Sequence, residues 1–265
     1  MTKLGAVIVL LAACMAVAAP LVSPYDPSAQ ALALRLDGPT LTHPFGLDEL
    51  GRDIFSRILS GARISLLVGL AVVSVSATLG ALLGAAAGYM GGRVDTVVSR
   101  VIDILMAFPG ILLAIGLVAV LGPSLVNVVV ALSSIGWVGY ARLVRGQVLR
   151  ARELEFVQAA RALGAGTWKI LVTHLLPEAL PTLMVQATLG MAGAILAEAS
   201  LSFLGLGVQP PTPSWGTMLN GGRAHLLDAP HLTVFPGLAI AVLVLGFNFL
   251  GDGLRDRLDP RRGAR

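Results

Sequence analysis

The sequence predicts an all-α integral membrane protein with six transmembrane helices, and three observations lead there. Of 265 residues, 55% are hydrophobic and only 13% charged, and mean hydropathy is +0.82, far more apolar than an ordinary soluble domain. Six apolar stretches follow one another between short polar connections, each near the roughly 20 residues that cross a hydrocarbon core about 30 Å thick. Lysine and arginine fall mostly on one side of the resulting path.

The first span, Leu4 to Val22, is apolar throughout. Lys3 before it and Ala16-Val-Ala18 near its end also fit a cleaved signal peptide; the five spans that follow favour a retained helix. Residues 23–61 form an external loop containing Pro24, Pro27, Pro39 and Pro44. Its second half places Leu50, Ile54, Ile58 and Gly61 at helical spacing among Asp48, Glu49, Arg52, Asp53 and Arg57. That pattern predicts an amphipathic helix along the membrane surface, although a solvated helical face would look the same.

Residues 62–265 make a core of five further spans. Ile64 to Tyr89 carries Ser76, Gly80, Gly84 and Gly88 every four residues, a small-residue stripe for close helix packing. After the polar connection Gly91 to Arg100, the third span runs from Ile102 to Leu121, with Phe108-Pro109-Gly110 predicting a kink or boundary. The fourth covers Leu125 to Tyr140, the fifth Pro181 to Leu206 and the sixth Val234 to Gly251. The loop from Gly207 to Thr233 is proline-rich at Val208 to Gly216, and the tail from Asp252 to Arg265 is basic and lacks an apolar period.

Between spans four and five lies a polar, helix-prone island, residues 152–177. Phe156, Ala160 and Leu163 recur at i, i+4 and i+7, and Trp168, Leu171, Val172 and Leu175 repeat the pattern, so each half reads as a short amphipathic helix. Gly164-Ala165-Gly166 is the turn between them, because glycine reaches positive φ cheaply, and Pro177 marks the next break. The reading is a helix–turn–helix on one membrane face. On the residues alone, an interfacial hairpin without a partner would share the pattern.

With the N-terminus inside, 14 of the 19 Lys and Arg lie on the cytoplasmic side and 5 outside. The positive-inside rule therefore selects both termini and the 152–177 island as cytoplasmic. Basic residues are not interleaved with exposed aromatics, which argues against nucleic-acid binding. The single cysteine, Cys14, excludes an intrachain disulfide.

No catalytic motif is found. Lys3 and Lys169 follow Thr2 and Trp168, so neither belongs to the Gly-Lys-Ser/Thr cradle that holds nucleotide phosphates, and no His-Glu-x-x-His or Gly-x-Ser-x-Gly occurs. His43, His225 and His231 lie outside the membrane without clustered co-ligands, so no metal site is assigned. Polar residues inside spans are costly in lipid and face the protein interior or a cavity. Glu198 leads these translocation-path candidates, followed by Gln186, Asp103 and Asn248. For Glu198 an interhelical partner is an equal alternative, and a packing hydrogen bond suits the other three.

The spacing Ala159-Ala160, Gly164 and Leu175-Leu176-Pro177 resembles the cytoplasmic "EAA" loop of ABC-importer permeases, with Gln158 where that pattern has glutamate. His43 to Arg63, Ala197 to Gly216 and Phe235 to Asp256 are similar to the second ("C") permease of the dipeptide/oligopeptide/nickel branch of that family. The resemblance implies a type I importer (MetI-like) fold, a homologous second permease, two cytosolic ATPases carrying ATP and Mg, and an external solute-binding protein. It also implies that Gln158, Ala159, Ala160, Arg161, Ala162, Gly164, Ala165, Gly166 and Pro177 couple to an ATPase, and that short peptides are the default substrate, with nickel as an alternative. A channel or secondary transporter is the rival class, expected to carry paired intramembrane charges and inverted repeats.

Overall fold

The structure, a computed structural model, describes residues 1–258. The last seven residues, with Arg261, Arg262 and Arg265 of the basic tail, lie outside the described residues. The chain is helical: α1 (Thr2–Val22), α2 (Ile54–Met90), α3 (Gly92–Met106), α4 (Gly110–Leu121), α5 (Leu125–Ala151), α6 (Glu155–Ala162), α7 (Thr167–Ile170), α8 (Leu176–Phe203), α9 (Trp215–Gly222) and α10 (His231–Leu258). Among the described residues five helices are long and apolar enough to cross a membrane, and α3 with α4 forms a sixth candidate bent by 87°.

Several boundaries differ from expectation. The amphipathic segment before span two does not lie along the surface. It is the first part of one 37-residue helix, α2, with Ile54, Ser56, Arg57 and Leu59 buried. Asp53 starts it, its Oδ2 accepting from the Ser56 amide at 2.8 Å, so a carboxylate satisfies an orphan amide at the helix N-terminus. A helix of that length runs to about 55 Å and extends beyond the hydrocarbon layer.

Span three breaks at Phe108-Pro109-Gly110, and the expected polar connection before it is helical as α3. Phe235-Pro236-Gly237 behaves differently, because Pro236 lies inside α10 and the helix begins a turn earlier at His231. The ladder has already begun there, with the Val234 amide donating to the Pro230 carbonyl at 3.0 Å, so Pro236 leaves out the one bond a residue at 236 would make to Leu232 and the helix continues past the gap. Span four continues to Ala151 through Arg142, Arg145 and Arg150. Pro177 does not end a helix: a π-helical turn over Leu171–Leu175 joins α7 to α8, giving one continuous run from Thr167 to Phe203.

Packing centres on α2 against α5. A Cβ on Gly80 would sit 2.6 Å from the Trp137 carbonyl oxygen, and one on Gly88 would sit 2.9 Å from that of Arg145. Gly84 meets Ala141 in the same way, and Ser76 faces Gly136. The stripe is thus the seat of a neighbouring helix within this chain. Beyond it, α3 is tied to α5 by a fork from Arg145 to Asp95, Nε–Oδ1 2.5 Å and Nη2–Oδ2 2.8 Å.

α1 runs antiparallel to α10, with Gly5 against the backbone of Gly246 and Leu250, and Thr2 against Gly253. The start of α1 and the end of α10 therefore share one end of the bundle, and a cavity bounded by Pro181 and Arg255 puts the 155–177 hairpin at that end too. The segments 23–53 and 204–230 meet at the opposite end, where a Cβ on Gly221 would sit 2.9 Å from the Glu49 carboxylate, and both are held to α2 and α10. Trp215 Nε1 donates to the Ile58 carbonyl at 3.0 Å, Phe45 stacks on Phe235 at 4.1 Å, and the Arg57 Nη1 donates to the Pro27 carbonyl at 2.9 Å.

Candidate functional site

The hairpin α6–α7 is folded by burial of one side. Val157, Ile170, Leu171 and Leu175 are buried in a cluster with Ala81 and Ala85 of α2 and Val144 and Val148 of α5. In the first half the expected inward face is offset by one position, to Val157, whereas in the second half Leu171 and Leu175 are buried as expected and Trp168 is not. Phe156 and Trp168 point outward, and Leu163 is 88% exposed. Periodicity alone allowed either phase, and contact with the ends of α2 and α5 selects Val157 as the anchor.

Gly164 has φ +81°, so the turn adopts the left-handed conformation that favours glycine. The Ala165 amide donates to the Ala160 carbonyl and the Gly164 amide to that of Arg161, both at 3.0 Å, closing α6. Gln158, Ala159, Arg161, Ala162 and Gly166 are exposed, while Ala160 and Ala165 are half-buried. Arg161 lies over the Tyr89 ring of α2 at 5.3 Å, and Gln158 Nε2 donates to the Arg152 carbonyl at 3.3 Å. Arg152 in turn donates to the Gly88 carbonyl at 3.1 Å. The result is an apolar ridge, Leu163 and Trp168 at its tip, on a base fixed to α2, α5 and α8.

Glu198 lies in α8 with no solvent exposure. Ser202 Oγ donates to its Oε1 at 2.7 Å and Ser65 Oγ, from α2, to its Oε2 at 3.3 Å. Ser214, which caps α9, approaches the same carboxyl. Gly207 and Gly216 press directly on Ser202 and Ala199. This carboxyl therefore joins α2, α8 and α9 at the loop end, the interhelical alternative rather than the cavity-facing one. The three hydroxyls were missed in the sequence. Ser202, four residues from Glu198 on one helix face, was the available signal, whereas Ser65 lies 133 positions away.

The remaining polar candidates separate. Gln186 borders a cavity between α2, α5 and α8. Asp103 is exposed on α3, and Asn248 is half-buried on α10. The histidines have local partners: His43 Nδ1 lies 2.9 Å from Asp53 Oδ1, His225 Nδ1 2.9 Å from Asp228 Oδ2, and His231 Nε2 3.3 Å from the Leu47 carbonyl. The His225 contact holds the exposed Asp228 carboxyl below its ordinary range.

A bundle of this architecture, with its helical hairpin displayed at the end that holds both helix termini α1 and α10, has the fold of an importer permease. It resembles the MetNI methionine ABC transporter in inward-facing conformations, with TM-score 0.53, 22% identity, and coverage of 73% of this chain and 94% of that one. The chain belongs to the family of binding-protein-dependent transport system inner membrane components, which matches residues 80–263. It is 43% identical to the probable D,D-dipeptide transport system permease DdpC of Escherichia coli, covering 100% of this chain and 89% of that one. It is 47% identical to the dipeptide transport system permease DppC of Alkalihalophilus pseudofirmus, over 97% and 84% of the two chains. With the glutathione transport system permease GsiD of Pectobacterium atrosepticum the identity is 50%, over 85% and 75%. The protein is accordingly a membrane-spanning permease component of an ABC import system.

Proposed function

We propose that this chain forms half of the path by which an ATP-driven importer carries short peptides across the inner membrane. A homologous permease supplies the other half, an external binding protein delivers the solute, and two cytosolic ATPases hold ATP and Mg. This chain itself catalyses no reaction. The observation that carries the reading is the 155–177 hairpin, whose inner side is packed on α2 and α5 while Leu163 and Trp168 project from it. The substrate class follows the relatives, which are named for D,D-dipeptide, dipeptide and glutathione transport.

The charge asymmetry supports a cytoplasmic hairpin and cytoplasmic termini. An ATPase cleft that grips the tip then moves a lever joined to α5 by the turn at 152–154 and continuous with α8 at the other root. ATP binding draws the two ATPases together and opens the path outward, and hydrolysis resets it inward. Such a drive requires that the ATPase pair bind the two permease conformations unequally, since equal binding shifts no population.

The test is uptake of radiolabelled dialanine by the four-protein complex with its binding protein in proteoliposomes. ATP-dependent uptake is expected in the parent, and Gly164→Trp is expected to abolish it while the chain still inserts. A Cβ at Gly164 meets no atom of the described residues within 4 Å, yet its φ of +81° strains any side chain there, so Gly164→Ala, with the same strain and little bulk, is the control: uptake kept in Gly164→Ala and lost in Gly164→Trp reports on the partner's cleft. Normal uptake by Gly164→Trp would refute the coupling role.

A further inference from the structure

The cavity beside Gln186 has a volume of about 320 Å³ and is walled by α2, α5 and α8, with Gly110 of α4 at its edge, the size and concavity of a small-molecule site. Three neutral polar side chains border it. Ser76 is 1% exposed, and its Oγ has no hydrogen-bond partner among the described residues. Tyr140 is 5% exposed, and neither its hydroxyl nor the Gln186 amide is hydrogen-bonded to another described residue. Buried polar groups in native proteins are nearly always paired, and an unpaired one asks for a ligand or water.

The glycines of this wall differ from the packing stripe. Gly139 and Gly193 lie mid-helix and border the cavity, yet a Cβ on either would meet nothing within 4 Å. Packing within this chain does not require them, and glycine disfavours a helix interior relative to alanine. What they provide is width and exposed backbone on the cavity side. Among the described residues no charged side chain borders the space, so a charged group would enter it unpaired.

We infer that this cavity is a binding site for the uncharged backbone of a short extended peptide, contacted by Ser76, Tyr140 and Gln186. The assignment rests on the proposed import of peptides and places one station of the path inside this chain. Peptide amides and carbonyls are neutral donors and acceptors, and two hydroxyls and a carboxamide can serve both kinds. Such a site reads backbone rather than side chains or termini, and it leaves charge selection to other parts of the importer.

The test uses the whole importer in proteoliposomes, in a Cys14→Ala background, because Cys14 is exposed on α1. An uncharged, water-soluble methanethiosulfonate reagent is expected to modify Gly139→Cys and Gly193→Cys faster than Leu70→Cys on the outer side of α2, and trialanine is expected to slow both. Trialanine uptake should fall about tenfold in Ser76→Ala/Tyr140→Phe, which removes two hydroxyls and little volume. Co-purification of the partner subunits with that variant checks assembly. If the wild-type complex hydrolyses ATP but takes up no trialanine, the peptide reading of the complex falls and this site with it. If uptake is normal but Gly139→Cys and Gly193→Cys react no faster than Leu70→Cys, or react unprotected by trialanine, the cavity assignment alone is overturned. Constitutive cross-linking of Gly193→Cys to the partner permease would equally overturn it, in favour of a packing seam.

Discussion

Adding one methyl group at Gly80 measures how closely α2 and α5 are seated. In an open helical position Gly→Ala stabilises by up to about 1 kcal/mol. At Gly80 the new Cβ would lie 2.6 Å from the Trp137 carbonyl oxygen and 2.8 Å from the Ala141 amide nitrogen. Ordinary contact begins near 3.4 Å, so the helices must part locally by roughly 0.8 Å, enough to forfeit a quarter to a half of the dispersion energy at that contact. In lipid the helices have no hydrophobic effect to draw them together again, because lipid tails are as apolar as they are. Overpacking of this kind costs about 1–3 kcal/mol, which outweighs the propensity gain. Gly88→Ala, with a 2.9 Å approach to the Arg145 carbonyl, should cost less, and Gly116→Ala, with no atom within 4 Å, should cost nothing. The assay is the thermal midpoint of the purified complex, read by size-exclusion after graded heating. A Gly80→Ala protein as heat-resistant as Gly116→Ala would refute the backbone-to-backbone seating.

Three further outcomes are expected. Glu198→Leu leaves the Ser65 and Ser202 hydroxyls without their buried acceptor, at about 1–3 kcal/mol each, and should reduce the assembled yield strongly. Glu198→Gln keeps an acceptor and should lie between it and the parent, so Leu and Gln variants of equal yield would contradict the hydroxyl cluster. Asp95→Asn should lower the thermal midpoint only slightly, since the Arg145 fork is partly exposed and such pairs contribute about 0–1 kcal/mol. The exchange Asp95→Arg/Arg145→Asp should restore it, and a failure to do so would show that geometry rather than charge holds α3 to α5. Leu163→Ser/Trp168→Ser removes the apolar tip without touching the buried side, so co-purification of the ATPases should weaken while heat resistance of this chain stays unchanged.

Much of the architecture was readable from residues because lipid demands long apolar runs. The ends of those runs were not, since the polar continuations Ile54 to Gly61 and Arg142 to Ala151 are helical with Ile54, Arg57, Leu59, Val144, Val148 and Ala151 buried against neighbouring elements. The two Phe-Pro-Gly tripeptides illustrate the limit: one sits at a break of 87° and the other is absorbed near a helix start. The coupling hairpin was legible as a hairpin, but its exposed ridge depended on which phase met α2 and α5. Glu198 was legible as a costly buried group, whereas its partner Ser65 on another helix was not. The cavity at Gln186 was hidden because Ser76 belongs to a stripe that otherwise serves packing, and only the placement of Tyr140 and Gly193 beside it separates the two roles.

The most direct measurement of the central claim is a reversible disulfide between Leu163→Cys, in the Cys14→Ala background, and a cysteine lining the docking cleft of the ATPase in the assembled importer. The account predicts that oxidation joins the two subunits and stops peptide uptake, and that reduction restores it. Uptake that proceeds unchanged with the hairpin locked to the ATPase, or a Leu163→Cys thiol that reacts only from the external face of intact cells, would contradict it.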